Sequence, residues 1–303
     1  MHWPLFLVSV LLLFTIGYDF FFTVISINGA GSISSRLSAL ISTVFLKMNY
    51  ALKTRRVLKY SGVSIILSLI IWWIGGLWLG FYLLILSDEL SVVTASTGTA
   101  ADMSDKFYYS GYILSTMGNG DFVPGSSRWQ IVIAIFSFSG FIFITTAMTY
   151  LISVSSAVIH KRSLALFITD MTVLDEDEDR MNCLYENEAD LRSMINRHNQ
   201  NHLAYPVVHY FFSMDKKASF SFGLWELNEV IVLIQNNHAH RPHKLKPLIQ
   251  AIDSYLNTMS EAFIPRVQRD NETEGVNSGE LRKEQLHNLL KSDGWNLTQN
   301  EIT

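Results

Sequence analysis

Three long apolar stretches, Trp3 to Ile27, Ser61 to Ser87 and Trp129 to Ile159, decide what this chain can fold into. Each exceeds the roughly twenty residues that a helix needs, at about 1.5 Å per residue, to cross a hydrocarbon core of about 30 Å. Lipid offers no hydrogen bonds, so a spanning segment must satisfy its own backbone, and a helix does that. The rest of the chain is different in kind. Hydrophobic residues make up 49% of the 303 and charged residues only 17%, with a mean hydropathy of +0.22. That is too apolar for a soluble protein and too charged for one wholly in lipid, which predicts a membrane part and a polar part.

Charge placement orients the spans. Asn28 to Tyr60 carries Arg36, Lys47, Lys53, Arg55, Arg56 and Lys59 and no acidic residue, which by the positive-inside rule makes it cytoplasmic. The next loop holds Asp88, Glu89, Asp102, Asp105 and Asp121 against Lys106, with Arg128 at the following membrane boundary, and is expected outside. The N-terminus is then outside, and everything after His160-Lys161-Arg162 is cytoplasmic. The first stretch lacks a basic n-region and a small-x-small cleavage site, so it reads as a retained helix rather than a secretory signal. Asp19 lies inside it, where a carboxylate is either functional or an interfacial group reaching for the polar edge; the second reading is the expectation. The net charge of −4 supplies no basic face for nucleic acid. A single cysteine, Cys183, excludes an intrachain disulfide and a Cys-rich metal site.

Between the second and third spans runs Ser115-Thr116-Met117-Gly118-Asn119-Gly120-Asp121. Glycines at alternate positions let successive residues take backbone angles of both signs, so that consecutive carbonyls can line one axis and replace a cation's hydration shell. The preceding Ser104 to Ser115 makes about three helical turns, with Ser104 as a plausible N-cap, and is too short to span. Such a helix enters and returns only where protein or water covers the backbone of the returning strand, and its C-terminal dipole favours a cation beyond it.

Thr116, Gly118, Gly120 and Asp121 resemble the Thr-x-Gly-x-Gly-Asp filter of the pore-loop potassium channels. The resemblance covers residues 61 to 160. It implies an outer helix 61–87, a pore helix 104–115, a filter 116–121 and an inner helix 129–159. K+ would pass at the carbonyls of Thr116, Met117, Gly118 and Asn119, as the permeant ion rather than a cofactor. Phe107, Tyr108 and Tyr109, with Tyr112 and Ser115, stand where this family braces its filter. Gly140, twenty residues beyond Gly120, stands where the family's inner helix bends on opening. Close helix packing is the other use of a glycine in a span. The sequence departs from the family at Met117, usually Val or Ile, and at Asn119, usually an aromatic. Asn119 lacks the bulk to hold the ring at fixed width, although its amide could hydrogen-bond to Tyr108 or Tyr112. One pore loop per chain implies a homotetramer. The first two spans carry no arginine repeat, so no voltage sensor is implied.

Residues 161–264 have soluble composition and helical periodicity in Leu184 to Ile195, Leu224 to Asn236 and Leu245 to Phe263, with Pro247 tolerable only in a first turn. No Gly-x-Gly-x-x-Gly follows a strand, so the nucleotide-binding domain common on bacterial potassium channels is not indicated, and the regulatory ligand or partner stays unnamed. Asp175 to Asp179 reads as a solvated acidic helix start, and His238, His240 and His243 as a polar turn rather than a metal site. Residues 265–303 read as a polar tail with a short helix near Glu280 to Lys291.

The expectation is a mostly α membrane protein of the cell membrane. It has an additional N-terminal span (1–27), a basic cytoplasmic linker (28–60), a pore domain (61–160), a helical cytoplasmic domain and a tail. Its partners are the lipid bilayer and itself, with no nucleic acid. It is a potassium-preferring channel and not an enzyme, because no nucleophile with its base, metal triad or phosphate loop is present. A weakly selective cation channel and a non-conducting receptor or scaffold are the alternatives.

Overall fold

The computed structural model describes residues 1–26, 29–236, 242–263 and 278–295. In chain order the helices are α1 (Trp3–Ile25), α2 (Ser32–Leu52), α3 (Ser61–Leu86), α4 (Met103–Leu114), α5 (Ser127–Thr172), α6 (Asp177–Ala204), α7 (Phe220–Asn236), α8 (Lys246–Ala262) and α9 (Ser278–Ser292). Two three-residue strands, β1 (Val92–Thr94) and β2 (Phe122–Pro124), pair antiparallel with Val93 opposite Val123. The helices α1, α3 and α5 are long and apolar enough to cross a membrane. The chain divides into two compact units, Met1–Ser38 with Ile65–Ser153, and Ala39–Ser64 with Val154–Thr303.

In the first unit, aromatic side chains lock the spans to one another. Phe20 stacks on Phe143 at 4.0 Å between ring centroids and meets Trp73 edge-on at 5.3 Å, while Phe81 stacks on Phe136 at 4.2 Å. Such pairs add about 0.5–1.5 kcal/mol each beyond their buried area. Leu7, Leu11 and Phe14 of α1 and Ile131, Ile135 and Phe138 of α5 stay exposed, on helices long and apolar enough to cross a membrane.

Asp19 departs from the expected interfacial reading, being only 1% exposed. Its Oδ1 accepts hydrogen bonds from the backbone N–H groups of Ile33 and Ser34, both at 3.1 Å. Its Oδ2 accepts from the Ser34 hydroxyl at 2.5 Å and from the indoles of Trp72 and Trp73 at 3.3 and 3.2 Å. A buried carboxylate is tolerable when donors satisfy its lone pairs, and these include the free N–H groups of the first turn of α2. Asp19 is therefore a cap supplied from another helix.

In the second unit, α5 continues without a break past the expected end at Ile159. No glycine or proline stops it, and Leu164, Ala165, Ile168 and Met171 recur at helical spacing to join a core. Lys161 sits in this stretch, donating to the carbonyls of Val208 and Phe211 at 3.4 and 3.2 Å. Leu184, Leu191 and Ile195 of α6, Leu224 and Ile231 of α7, and Leu248, Ile252, Tyr255 and Met259 of α8 complete that core. Pro247 falls in the first turn of α8, where no N–H is needed. Leu286, Leu289 and Leu290 of α9 are buried there too, and Arg282 forks onto Asp253 at 2.6 and 3.2 Å. The stretch expected as a tail thus contributes a core helix.

The expected linker 28–60 is also structured, chiefly as α2 and a three-ten turn over Arg55–Tyr60. Arg55 lies 3.5 Å above the Trp295 ring and donates to the carbonyls of Ser213, Asp293 and Gly294. The acidic run opens α6, with Asp177, Glu178 and Asp179 in its first turn, and Cys183 is a half-buried free thiol. His238 and His240 lie outside the described residues, as does the side chain of His243.

Four histidines gather in this unit. His198, His202 and His209 are buried, with ring centroids 4.4 Å apart for the first pair and 6.1 Å for the second, and His160 lies 6.3 Å from His198. Neither ring nitrogen of His198 nor Nε2 of His202 has a hydrogen-bond partner among the described residues.

Candidate ion pathway

The re-entrant segment is built from α4 outward. Its cap is Asp102 rather than the expected Ser104. The Asp102 carboxylate accepts from the Asp105 N–H at 2.8 Å while the Asp105 side chain accepts from the Asp102 N–H, a reciprocal box that satisfies two orphan donors. The short helix consequently starts at Met103 and closes at Leu114. Lys106, buried, clamps the entry by donating to the carbonyls of Ile85, Asp88 and Glu89 at 3.3, 2.7 and 3.0 Å, which ties the end of α3 to the turn that follows it. The Trp129 indole donates to the Asp88 carboxylate at 2.8 Å and fixes the start of α5 to the same point.

The side chains expected to brace the loop divide by direction. Phe107 stacks on Trp78 at 4.6 Å, Tyr109 is buried edge-on to Tyr112 at 5.1 Å, and Tyr108 is partly exposed beside Tyr112 at 5.1 Å. The Tyr112 hydroxyl donates to the Phe122 carbonyl at 3.1 Å, so one side chain bridges the two ends of the 115–121 loop. Ser115 donates its hydroxyl to the Tyr112 carbonyl at 3.0 Å, and the Trp78 indole donates to Ser110 at 2.8 Å. The Asn119 amide donates to the Tyr108 hydroxyl. An apolar cleft of about 480 Å³, lined by Trp78, Phe107, Tyr108, Met117, Phe143 and Ile144, opens beside the braces.

From Thr116 to Asp121 the chain has no regular structure and all six residues are exposed. Its backbone alternates. Thr116, Gly118 and Gly120 take φ of +59°, +59° and +83°, whereas Met117, Asn119 and Asp121 are not among the positive-φ residues. Glycine adopts that region freely, but Thr116 is a threonine held in it, and such strain survives only where the surroundings impose it. Here the Thr116 and Met117 N–H groups donate at 3.0 Å to the carbonyls of Ile113 and Tyr112, winding the chain out of the helix.

Gly140 lies against this turn. A Cβ placed on it would stand 2.2 Å from the Leu114 carbonyl oxygen and 2.9 Å from the Leu114 carbonyl carbon and Cα. The missing side chain is what seats the end of α4 on α5, and α5 runs through Gly140 unbroken. Lys106 had a trace in the sequence as the one cation of an acidic loop. The indole contacts of Trp78 and Trp129 had none, because they depend on which helices become neighbours.

Residues 67–157 match the family described as Ion channel. Over 277 residues the chain is 30% identical to the uncharacterized membrane protein YdjJ of Bacillus subtilis (strain 168), covering 86% of this chain and 79% of that protein. No solved structure matches. The re-entrant helix, the alternating loop and the spans around them lie within the matched region, and the chain belongs to the membrane-protein family of YdjJ, with an ion-channel domain over residues 67–157.

Proposed function

We propose that four copies of this chain surround one pore and conduct potassium passively in preference to sodium, with Thr116 to Asp121 as the filter. The observation that carries the reading is the alternation of backbone sign at 116, 118 and 120. A run of residues in one conformation spirals its carbonyls around the strand, whereas alternating signs let consecutive carbonyls face one side. Four such strands around an axis replace the water shell of a bare cation. The carbonyls of Thr116, Met117, Gly118 and Asn119 serve as ligands of the passing ion, and the four-fold arrangement follows from one filter strand per chain. Phe107, Tyr108, Tyr109, Tyr112 and Ser115 hold the filter's outer wall, and Gly140 is the point at which the inner helix bends. The N-terminus faces outside and the C-terminal helices the cytoplasm, in line with the basic 28–60 and 160–162 segments.

A weakly selective pore is the second reading, and Asn119 favours it. Its amide reaches the Tyr108 hydroxyl, a single polar tie where an aromatic would pack over a whole face. The test is potassium and sodium flux through purified protein in liposomes beside Gly118→Ala, which puts a Cβ on a left-handed residue. Potassium flux that exceeds sodium flux and is lost in the variant supports the filter. Equal fluxes give the second reading. Flux that survives Gly118→Ala unchanged removes the filter assignment.

A further inference from the structure

The helix α2 exposes large apolar residues as well as half-burying Leu37, Ile41 and Phe45. The residues it buries are Ser34, Ser38, Ser42 and Asn49, while Leu40, Val44, Met48 and Leu52 are 64%, 50%, 40% and 58% exposed. Those four recur every fourth residue and form one apolar stripe. Cations accompany it. Lys47, Lys53, Arg56 and Lys59 are exposed, and from Phe20 to Ser87 the sequence holds no acidic residue to neutralise them. An apolar stripe with cations and no acids beside it is the pattern of a helix lying in an anionic membrane surface. Connectivity agrees, since only residues 26–31 separate α1 from α2 and the three-ten turn Arg55–Tyr60 runs directly into α3. Both ends of α2 are held within a few residues of spans.

We propose that α2 and the turn after it form a docking surface for anionic phospholipid headgroups of the cytoplasmic leaflet. Leu40, Val44, Met48 and Leu52 enter the acyl boundary, and Lys47, Lys53, Arg56 and Lys59 meet the phosphates. The assignment of leaflet rests on the orientation proposed above. Arg55 is outside the headgroup set, because its guanidinium is taken by three backbone carbonyls and the Trp295 ring. That contact also makes the turn carrying the lipid-binding cations part of the same unit as α9.

The test is lipid titration of the purified full-length protein followed by native mass spectrometry, comparing phosphatidylglycerol with phosphatidylcholine. A basic residue at an anionic surface contributes about fivefold. K47Q/K53Q/R56Q/K59Q should therefore lose at least tenfold of the preference for phosphatidylglycerol and keep its phosphatidylcholine binding. K47R/K53R/K59R, with the charges retained, should behave as the parent. Raising salt should weaken phosphatidylglycerol binding in the parent and not in the neutralised variant. Equal preference in the parent and the neutralised variant overturns the surface. Orientation is read separately by Lys47→Cys in a Cys183→Ser background with an impermeant maleimide on intact cells. Labelling from outside overturns the orientation and with it the assigned leaflet, whereas protection combined with unchanged lipid preference overturns the lipid surface alone.

Discussion

Acidification should unlock the C-terminal helices, and the buried histidines set how steeply. His198 and His202 are held well below the ordinary histidine range, first by burial, then in His198 by His202 and the Lys161 ammonium and in His202 by Lys161 and His209. Burial brings His209 down to about 4, with Asp293 opposing and Lys161 assisting. The folded state therefore keeps all three rings neutral at pH values where the unfolded chain, with histidine near 6.5, protonates them. Below that value the unfolded state binds more protons, so the stability present above about 6.5 falls as pH drops toward the folded values. For one such group the loss is RT ln(1 + 10^(6.5 − pH)), negligible at pH 7.5 and about 1.4 kcal/mol at pH 5.5. Three groups give about 4 kcal/mol, comparable with the whole stability of a small domain. Hydrogen exchange on the full-length protein, corrected for intrinsic rates, would read this at the amides of α6 and α8 between pH 7.5 and 5.5. Replacing His202 with Leu should remove about a third of the slope. An opening free energy that does not move across that window, or moves equally in the variant, would refute the assignment of neutral buried rings.

Gly140→Ala should strip potassium flux while leaving the protein assembled, because the new methyl meets backbone at Leu114 and pushes the end of α4 off α5; flux in liposomes with size-exclusion chromatography as control checks it. Asp19→Ala should destabilise the first unit by about 3–5 kcal/mol, since five donors lose a buried charged acceptor, and this would be read as a drop in detergent melting temperature. Lys106→Met preserves length but takes the ammonium away from the carbonyls of Ile85, Asp88 and Glu89, of which the first two keep the Ser91 hydroxyl and N–H, and should lower thermal stability by about 1–3 kcal/mol. Tyr108→Phe removes the partner of the Asn119 amide and should reduce whatever potassium preference the parent has, with bi-ionic reversal potentials as the readout.

The three spans and the re-entrant segment were legible because each depends on local information: length and apolarity for the spans, glycine spacing for the loop. The helices α6, α7 and α8 were legible for the same reason, through periodicity. What escaped was information held by a distant partner. Asp19 looks anomalous in a span until Ile33, Ser34, Trp72 and Trp73 surround it. The segment at 160–162 looks like a membrane exit, and the helix continues because Leu164 and Ile168 find a core. Ser104 is the cap read from the sequence, and the Asp105 carboxylate, which completes a reciprocal box with Asp102, moves the helix start to Met103. Asn49 and three serines of α2 are buried while Leu40, Val44, Met48 and Leu52 are exposed, so an inward-apolar template reads it as a linker.

Gly140 joins two of these threads. A glycine at the middle of an inner helix can act through what it permits, a bend, or through what it admits, a neighbour. The distances favour weight on the second, for 2.2 Å between a Cβ and the Leu114 oxygen leaves no room for any other residue. The two roles are mechanically linked rather than exclusive. Leu114 is the last residue of α4, and two residues later the chain enters the left-handed turn at Thr116. A bend of α5 centred on Gly140 would move the surface on which Leu114 rests, and the left-handed turn that follows hangs from that end of α4 by hydrogen bonds to Ile113 and Tyr112. If α5 bends at Gly140 as proposed, that motion reaches the start of the proposed filter through the backbone of Leu114, with no side chain between to absorb the displacement.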